Sequence, residues 1–583
     1  MVRKTTHIQL IARRTATLYA VVILFGAVIV GRLFQLQVLQ HDYYADLALA
    51  EHEAKFTIPS ARGTIYARDG VGETPLVLNE VLPTVYVDPF GIDDDENQKL
   101  AEELHESLGV PVLDILEMLE RNESRYQVVK KRVDLDTVNK LKEKDLNGVG
   151  FADESYRVYP QGQLGSQSLG FVNDEGVGQY GVEAFLDADL AGADGRYEAV
   201  TDVYGIPLST SEQKVIEAPQ DGKDITLTID ANVQRFVEQA LEDGVKGSKG
   251  VSGSAIVMDP NTGAILAMAN YPTYDPNEFG EVEDFSVFLN HVATSPYETG
   301  SGMKIMTMAA ALNEGAVKFD DTYRDNGFVI VDDRRIENAL PGSGIRTMTE
   351  VIKLSINTGV VHALQEIGGG EINEKARGTL YDYFTNRFGF GTPTGIGLAN
   401  EGGGVVISPD DQEGNNVRYA NMTFGQGMTV TLLQMAAATS ALVNGGDYYQ
   451  PYLIHSTTDS DGNTSVNEGK VIREDVVSQQ TSNEIRAMMA SVRADLVKRE
   501  AGYEIGGKTG TAQVLDPETG EYSDDLEIGS FVGYGGAEKP EYVIMTRVDE
   551  PKIPGFAGTV AAAPIFADIS EFMIDYYQIA PKQ

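Results

Sequence analysis

The chain has 583 residues, of which 42% are hydrophobic and 23% charged, the balance of an ordinary globular protein long enough for several domains. Its net charge of −41 predicts no nucleic-acid partner, because such proteins need a basic surface to neutralise phosphates. It contains no cysteine, which excludes disulfides, thiolate metal sites and a cysteine nucleophile.

The N-terminal segment predicts a single membrane span. Residues 15–31 carry no charge and lie between Arg14 and Arg32, whose long side chains can reach the membrane interface. A cleaved signal peptide is the alternative, but the sequence after Gly31 is amphipathic and has no small-residue cleavage site. Positive charges before the span predict a cytoplasmic N-terminus and an extracytoplasmic bulk, that is, a single-pass protein of the cell membrane.

Strand-like and helix-like runs alternate after the span. Residues 76–89 have a strand-like pattern and residues 114–122 a helical one. A glycine- and serine-rich stretch near 245–252 predicts a domain boundary. Beyond it, residues 254–272 predict two strands joined by a tight turn.

The C-terminal half predicts helices first and then strands. Residues 303–315 and 432–446 are apolar helical runs that end at glycine, whereas 530–536 and 541–551 are strand-like. This order predicts an α+β architecture, in which a mixed sheet is covered by a cluster of helices.

Several kinds of chemistry are disfavoured by the motifs. The seven histidines form no metal-binding spacing, and the chain has neither a phosphate-binding Walker loop nor the G-x-S-x-G turn of the hydrolase fold. We therefore expect no metal site and no histidine-activated serine. A serine assisted by lysine remains as the candidate nucleophile.

The tetrad Ser301-Gly-Met-Lys304 is that candidate. An S-x-x-K pattern is weak alone, and Ser211-Glu-Gln-Lys214 matches it as well. Ser211 lies in a polar stretch, whereas Ser301 follows glycine and opens an apolar helix, so that Ser301 and Lys304 share one helix face. Burial would lower the pKa of Lys304 and let it act as a base.

Two further motifs follow in order. Ser355-Ile-Asn357 lies in a helix-like run at 351–364, while a second S-x-N at 465–467 lies in a polar loop. Lys508-Thr509-Gly510 is the only K-T-G, within a glycine-flanked strand that another backbone could approach. S-x-x-K, S-x-N and K-T-G in this order form the motif set of the penicillin-recognising serine acyltransferases.

Longer segments carry a family resemblance over nearly the whole chain. Residues 62–70, 157–195, 255–277, 424–446 and 530–536 resemble the class B penicillin-binding proteins, which are membrane-anchored peptidoglycan D,D-transpeptidases. The chain departs from that family in three places, with Ala67 where aspartate is usual and Thr299 and Leu432 where proline is usual.

The resemblance implies a division of the chain into four parts. These are a cytoplasmic N-terminus (1–14), a transmembrane helix (15–31), an elongated mixed α/β pedestal of the dimerisation type (32–248) and a transpeptidase domain (249–583). The last is expected to contain an antiparallel five-stranded sheet flanked by helices, with a helical subdomain.

The resemblance also implies a role for each motif residue. Ser301 would attack the carbonyl between two D-alanines, Lys304 would take its proton, Ser355 would relay a proton to the leaving amine, and Asn357 would orient the substrate amide. Lys508 would supply positive potential, and Thr509 and Thr511, which flank Gly510, would bind the terminal carboxylate. The backbone N–H groups of Ser301 and Thr511 would form the oxyanion hole.

The implied partners are peptidoglycan stem peptides, β-lactams as covalent inhibitors, the membrane, a polytopic membrane glycosyltransferase and other division proteins; no cofactor is needed. The chain length, the short C-terminal tail and segment 424–446 favour the division type over the elongation type. A carboxypeptidase or β-lactamase would pass the acyl group to water instead. A penicillin-binding scaffold with vestigial catalytic residues is a further alternative, whereas the short segment before the span argues against a sensor.

Overall fold

A computed structural model describes residues 2–44, 53–92, 95–120, 125–200, 214–493, 502–515 and 522–582. The chain packs as two compact units. The first unit comprises residues 1–61 and 192–221, and the second comprises residues 62–191 and 222–583.

The first unit contains a long N-terminal helix and a small sheet. The helix spans Val2–Phe34, and the apolar stretch Leu10–Leu39 has a mean hydropathy of 2.2 and is long enough to cross a membrane. The predicted span at 15–31 lies within this helix, which is therefore a candidate membrane anchor. The sheet is antiparallel, with its three strands in the order Glu53–Ile58, Gly195–Val200, Lys214–Glu217.

The second unit contains two large sheets. The first has seven strands and is mostly antiparallel, with one parallel pair between Asp224–Asp230 and Ile65–Asp69. Val149–Val158 pairs with the long strand Gly72–Val87. The remaining order follows from one edge: Thr464–Val466, Ile454–Thr458, Asp224–Asp230, Ile65–Asp69, Gly72–Val87, Gln127–Lys130.

The second large sheet is antiparallel throughout and has five strands, as the resemblance implies. From one edge to the other its strands are Ile265–Tyr271, Ser252–Met258, Pro540–Asp549, Tyr522–Gly536, Glu504–Leu515. The first two are the strands predicted within 254–272, paired directly with each other. The K-T-G strand, Glu504–Leu515, is therefore an edge strand, with one side available for pairing.

Both faces of this five-stranded sheet are covered. Alternate residues point to opposite faces of a strand, and here Ala255 and Val257 face one apolar core while Ile256 and Met258 face another. The first core includes Ala231–Ser248 and the C-terminal helix Ala563–Tyr576. The glycine- and serine-rich stretch at 245–252 thus begins inside a helix that packs on the sheet.

The second core holds the helical cluster and with it the candidate nucleophile. Its central helix, Leu432–Asn444, is almost wholly buried. Thr431 caps this helix and forms a capping box with Gln434, so the helix begins regularly although Leu432 stands where the family usually has proline.

The other α-helices of the described residues are short or lie around these sheets. They are Asn97–Leu108, Val112–Glu120, Leu135–Glu143, Ser166–Leu169, Gly181–Phe185, Asp187–Ala191, His291–Thr294, Lys304–Asn313, Met348–Lys353, Asn357–Ile367, Glu374–Asp382, Asn416–Met422, Gln479–Arg493. Four remaining short strands form two hairpin-like pairs, Thr322–Asp325 with Gly344–Thr347 and Phe328–Val331 with Arg334–Glu337. Two further minor pairs join Phe171–Val172 to Gly178–Gln179 and Tyr448–Tyr449 to Val471–Arg473.

Candidate active site

Ser301 lies at the start of a helical segment that touches the K-T-G strand. A 3-10 turn spans Gly300–Met303, and the α-helix Lys304–Asn313 follows it. Gly300 has a φ of +55°, and a Cβ atom there would lie 2.3 Å from the carbonyl oxygen of Thr511. Only glycine fits this position, so the backbone before Ser301 can lie directly against Thr511.

Ser355 lies in a break between two helices. The helix Met348–Lys353 ends before it, the helix Asn357–Ile367 begins after it, and Ser355 itself has a φ of +58°. The prediction of a helix-like run through 351–364 is therefore wrong at this point. A left-handed conformation cannot continue an α-helix, and it directs both the hydroxyl and the carbonyl oxygen of Ser355 toward Lys304.

The hydroxyl of Ser355 connects three of the predicted residues. It donates to Ser301 Oγ at 2.9 Å, and it accepts from Lys304 Nζ at 3.1 Å and from Lys508 Nζ at 3.0 Å. Lys304 Nζ also donates to the Ser355 carbonyl oxygen at 2.7 Å. Among the described residues, the hydrogen bonds thus link Ser301 to Lys304 through Ser355 rather than directly.

Both lysines are buried without an ionic partner. Lys304 is 0% exposed and Lys508 is 1% exposed, and within the described residues neither forms an ion pair. Burial, and to a lesser extent the charge of Lys508, holds the pKa of Lys304 well below its ordinary value. Burial alone lowers the pKa of Lys508 to about 7. An amine that is neutral near physiological pH can accept a proton.

The K-T-G strand is pressed against the loop that carries Ser301. A Cβ atom at Gly510 would lie 2.4 Å from the carbonyl oxygen of Thr299 and 2.3 Å from Ser530 Oγ. The glycine therefore allows the close backbone approach that the sequence predicted for this strand. Lys508 Nζ also donates to the Thr509 carbonyl oxygen at 2.9 Å and to Thr509 Oγ1 at 3.3 Å.

The other predicted residues lie around the same cavity with different hydrogen-bond partners. Thr511 Oγ1 accepts from the backbone N–H of Gly558 at 3.3 Å. Asn357 donates through Nδ2 to the carbonyl oxygen of Glu337 at 2.9 Å, rather than contacting Lys304. Ser301, Ser355, Asn357, Lys508, Thr509 and Thr511 all line this cavity.

The cavity has a volume of about 450 Å³, a size suited to a small peptide or a drug-sized ligand. Sequence motifs did not identify the rest of its lining, because the fold brings these residues together from separate segments. Phe424 and Gln426 lie within the segment 424–446 that carries the resemblance, which is the one signal that pointed to them. The other lining residues are Gly300, Ala339, Leu340, Lys353, Leu354, Gln513, Glu527, Phe556, Thr559.

Comparison with known proteins identifies the family. The family model for the penicillin binding protein transpeptidase domain matches residues 253–571, more than half of the chain, and that for the penicillin-binding protein dimerisation domain matches residues 57–227. Stage V sporulation protein D of Bacillus subtilis is 33% identical over 96% of this chain and 86% of its own length. The chain is a class B penicillin-binding protein.

Two further proteins extend the comparison to activity and fold. A peptidoglycan D,D-transpeptidase FtsI homolog of Mesostigma viride is 28% identical over 96% of this chain and 94% of its own length. The crystal structure of penicillin binding protein 3 from Mycobacterium tuberculosis, complexed with aztreonam, covers 91% of this chain and 98% of that one, at 26% identity and a TM-score of 0.69. This class B penicillin-binding protein is accordingly a serine-type D,D-transpeptidase with the fold of that family.

In this penicillin-binding protein, Glu298 fixes the loop before the nucleophile. Its carboxylate accepts from the Gly427 N–H at 2.7 Å and from the Tyr522 hydroxyl at 3.0 Å. Burial raises the pKa of the Glu298 carboxyl. The loop therefore retains anchoring contacts although Thr299 replaces the usual proline.

The second S-x-N motif lies far from such surroundings. Ser465 lies in the strand Thr464–Val466, whose three residues are all exposed. The second S-x-x-K, at 211–214, begins outside the described residues, since Ser211 falls within 201–213.

Proposed function

We propose that this protein crosslinks peptidoglycan stem peptides through an ester formed on Ser301. The observation that carries the proposal is the hydrogen-bonded chain from Ser301 Oγ through Ser355 Oγ to Lys304 Nζ, in a cavity bounded by the K-T-G strand. A lysine whose pKa is lowered by burial can accept the proton that Ser301 loses on attack.

In the acylation step, Ser301 Oγ attacks the carbonyl carbon between the two terminal D-alanines. The hydroxyl proton passes to Ser355, while the proton of Ser355 passes to the neutral Lys304 amine. As the C–N bond breaks, the same path returns a proton to the leaving amine of D-alanine. The backbone N–H groups of Ser301 and Thr511 stabilise the oxyanion.

The second step consumes the ester. The amine of a neighbouring stem peptide attacks the acyl carbon, Ser301 Oγ leaves, and the proton released by the amine returns to Ser301 through Ser355. Lys508, Thr509 and Thr511 hold the terminal carboxylate of the donor before cleavage, with Gly510 keeping the strand close to the nucleophile loop. Asn357 orients the substrate amide from the opposite wall of the cavity.

The division of the chain supports a role outside the cytoplasm. Residues 1–14 form the cytoplasmic N-terminus, 15–31 the membrane span, 32–248 the pedestal and 249–583 the transpeptidase domain, except that the helix Ala231–Ser248 packs on the transpeptidase sheet. The positive charges before the span support this orientation.

The biological setting we propose is septal wall synthesis, together with a polytopic membrane glycosyltransferase and other division proteins. Segment 424–446 and one relative's name, FtsI homolog, support it. A fluorescent fusion should concentrate at midcell; an even distribution along the side wall would instead indicate the elongation role.

Mass spectrometry of the penicillin-treated full-length protein tests the chemistry. We expect a covalent adduct on Ser301, its loss in Ser301→Ala, and its retention in the matched variant Ser211→Ala. A β-lactam adduct should be hydrolysed slowly, whereas an acyl group from a stem peptide should transfer to added amines. Rapid release to water would indicate a carboxypeptidase or β-lactamase. Growth supported by Ser301→Ala would indicate a scaffold.

A further inference from the structure

The active-site cavity is chemically polarised along the K-T-G strand. Thr509, Thr511 and Gln513 alternate with their neighbours and so lie on one face of this strand, and all three line the cavity. Glu527 lies directly opposite Gln513 on the adjacent strand and lines the same cavity. The two lysine amines are at one end of this row, and a carboxylate is at the other.

Glu527 is the only carboxylate among the described residues that line the cavity. It is half-buried, and within the described part of the chain its side chain has no hydrogen bond or ion pair. Gln513 beside it donates through Nε2 to the carbonyl oxygen of Ser523 at 3.3 Å, which leaves Gln513 Oε1 as an acceptor. The two side chains therefore present acceptor oxygens and no free donor.

The position of Ser301 fixes the direction in which a bound donor peptide runs. The proposed carboxylate site is at Lys508 and Thr509, and the backbone before Ser301 lies against Thr511. A peptide with its terminal carboxylate at the first point and its reacting carbonyl at the second must continue toward Gln513. Two residues of strand span about 7 Å, a distance that a long side chain can cover.

We propose that Glu527, assisted by Gln513, binds the side-chain ammonium of the diamino residue that precedes the reacting D-alanine in the donor stem peptide. This inference rests on the proposed function, because it takes the carboxylate site and the nucleophile from it. Glu527 acts in specificity and not in the bond-making steps, since it contacts neither Ser301 nor the lysines among the hydrogen bonds of the described residues.

The test compares two donor pentapeptides that end in D-Ala-D-Ala and carry either lysine or Nε-acetyl-lysine at the third position. Full-length protein in detergent receives each donor with a fixed excess of a D-amino acid as acceptor, and D-alanine release is measured. We expect kcat/KM to favour lysine by about tenfold, the preference to reside in KM, and added salt to reduce it.

Glu527→Gln should lower kcat/KM for the lysine donor about tenfold and leave the acetyl-lysine donor unchanged, because only the ammonium loses its partner. Glu538→Gln is the matched control: it removes the same charge from an exposed position at the other end of the same strand pair and should preserve the preference. An equal effect of Glu527→Gln on both donors, or no effect on either, would overturn the inference.

The inference and the proposed function fail in different ways. If the unmodified protein releases no D-alanine from either donor and forms no penicillin adduct on Ser301, the proposed function is wrong. If it processes both donors through Ser301 with equal kcat/KM, the proposed function stands and the ammonium site is wrong.

Discussion

Two buried polar clusters of this protein contain cations in opposite circumstances. In one, Glu183 is fully buried and accepts from Arg62 at 2.6 Å and from Arg157 at 2.7 Å, so that each charge has a partner. In the other, Lys304 and Lys508 share only the neutral hydroxyl of Ser355.

The difference separates a structural cluster from a reactive one. A buried charge that is paired and hydrogen-bonded holds its surroundings together, whereas a buried amine without a counter-charge is driven toward its neutral form. The pKa of each active-site lysine is lowered by burial, and a neutral amine is what proton acceptance requires. The predictions below change one cluster at a time.

The largest expected effect comes from Lys304→Met, which removes the proton acceptor but keeps an unbranched side chain of similar length. Loss of a general base costs about 10²–10⁴-fold in rate, so acylation by a fluorescent penicillin should fall by that factor. The free energy of unfolding should not fall, because the variant no longer buries an amine.

The control for this variant is urea unfolding followed by tyrosine fluorescence. An acylation rate within tenfold of the unmodified protein would show that Lys304 is not the base. A large fall in stability would leave Lys304→Arg as the deciding variant, since a guanidinium stays charged and cannot accept the proton.

Glu183→Gln is expected to have the next largest effect, on stability instead of rate. It leaves Arg157, whose side chain is 3% exposed, without its counter-charge. Breaking a buried ion pair in this way typically costs about 3–5 kcal/mol, and urea unfolding should register a loss of that size.

The matched change Glu242→Gln removes a carboxylate from the exposed pair with Lys246, where we expect a loss below about 1 kcal/mol. The fraction of Glu183→Gln that remains folded should still be acylated at the normal rate. Slower acylation of folded molecules would mean that the paired cluster acts on the active site as well.

The pH dependence of acylation sharpens the contrast between the two lysines. Lys304 must be neutral, so the rate should rise as pH increases through its lowered pKa. Lys508 must be charged to hold the carboxylate, so kcat/KM for peptide donors should fall as pH rises through about 7. The profile should therefore be bell-shaped.

Lys508→Arg is the diagnostic variant for the alkaline side. Arginine stays protonated across the range, so the fall near pH 7 should disappear while the acidic limb stays in place. Persistence of the alkaline limb in Lys508→Arg would assign it to another group.

The sequence predicted the contents of the active site better than its connections. The three motifs lie together as their order suggested, because each is local and each has residue types that its chemistry requires. The route from Ser301 to Lys304 through Ser355 could not be predicted, since it depends on the positive φ of Ser355, which ends a helix that the apolar pattern would have continued.

The fold was predicted where periodicity is strong and missed where packing decides. The five-stranded sheet follows from apolar strands around short turns, whereas the helix Ala231–Ser248 contains two glycines near its end and resembles a linker by composition. Its burial against the sheet overrides the low helix propensity of those glycines. Glu527 escaped notice for a related reason, because only the register with Gln513 brings it to the cavity.

The smallest expected effect concerns Thr299, which replaces the usual proline before the nucleophile. It is 2% exposed, and its hydroxyl has no hydrogen-bond partner among the described residues. Thr299→Val keeps the shape and removes the buried hydroxyl, so the free energy of unfolding should rise by about 1 kcal/mol. Thr423→Val is the matched change at a buried hydroxyl that donates to the Ala420 carbonyl oxygen at 2.6 Å, and it should lower stability by about as much. Destabilisation by Thr299→Val would mean that its hydroxyl has a partner, such as a bound water, that contributes to the loop geometry.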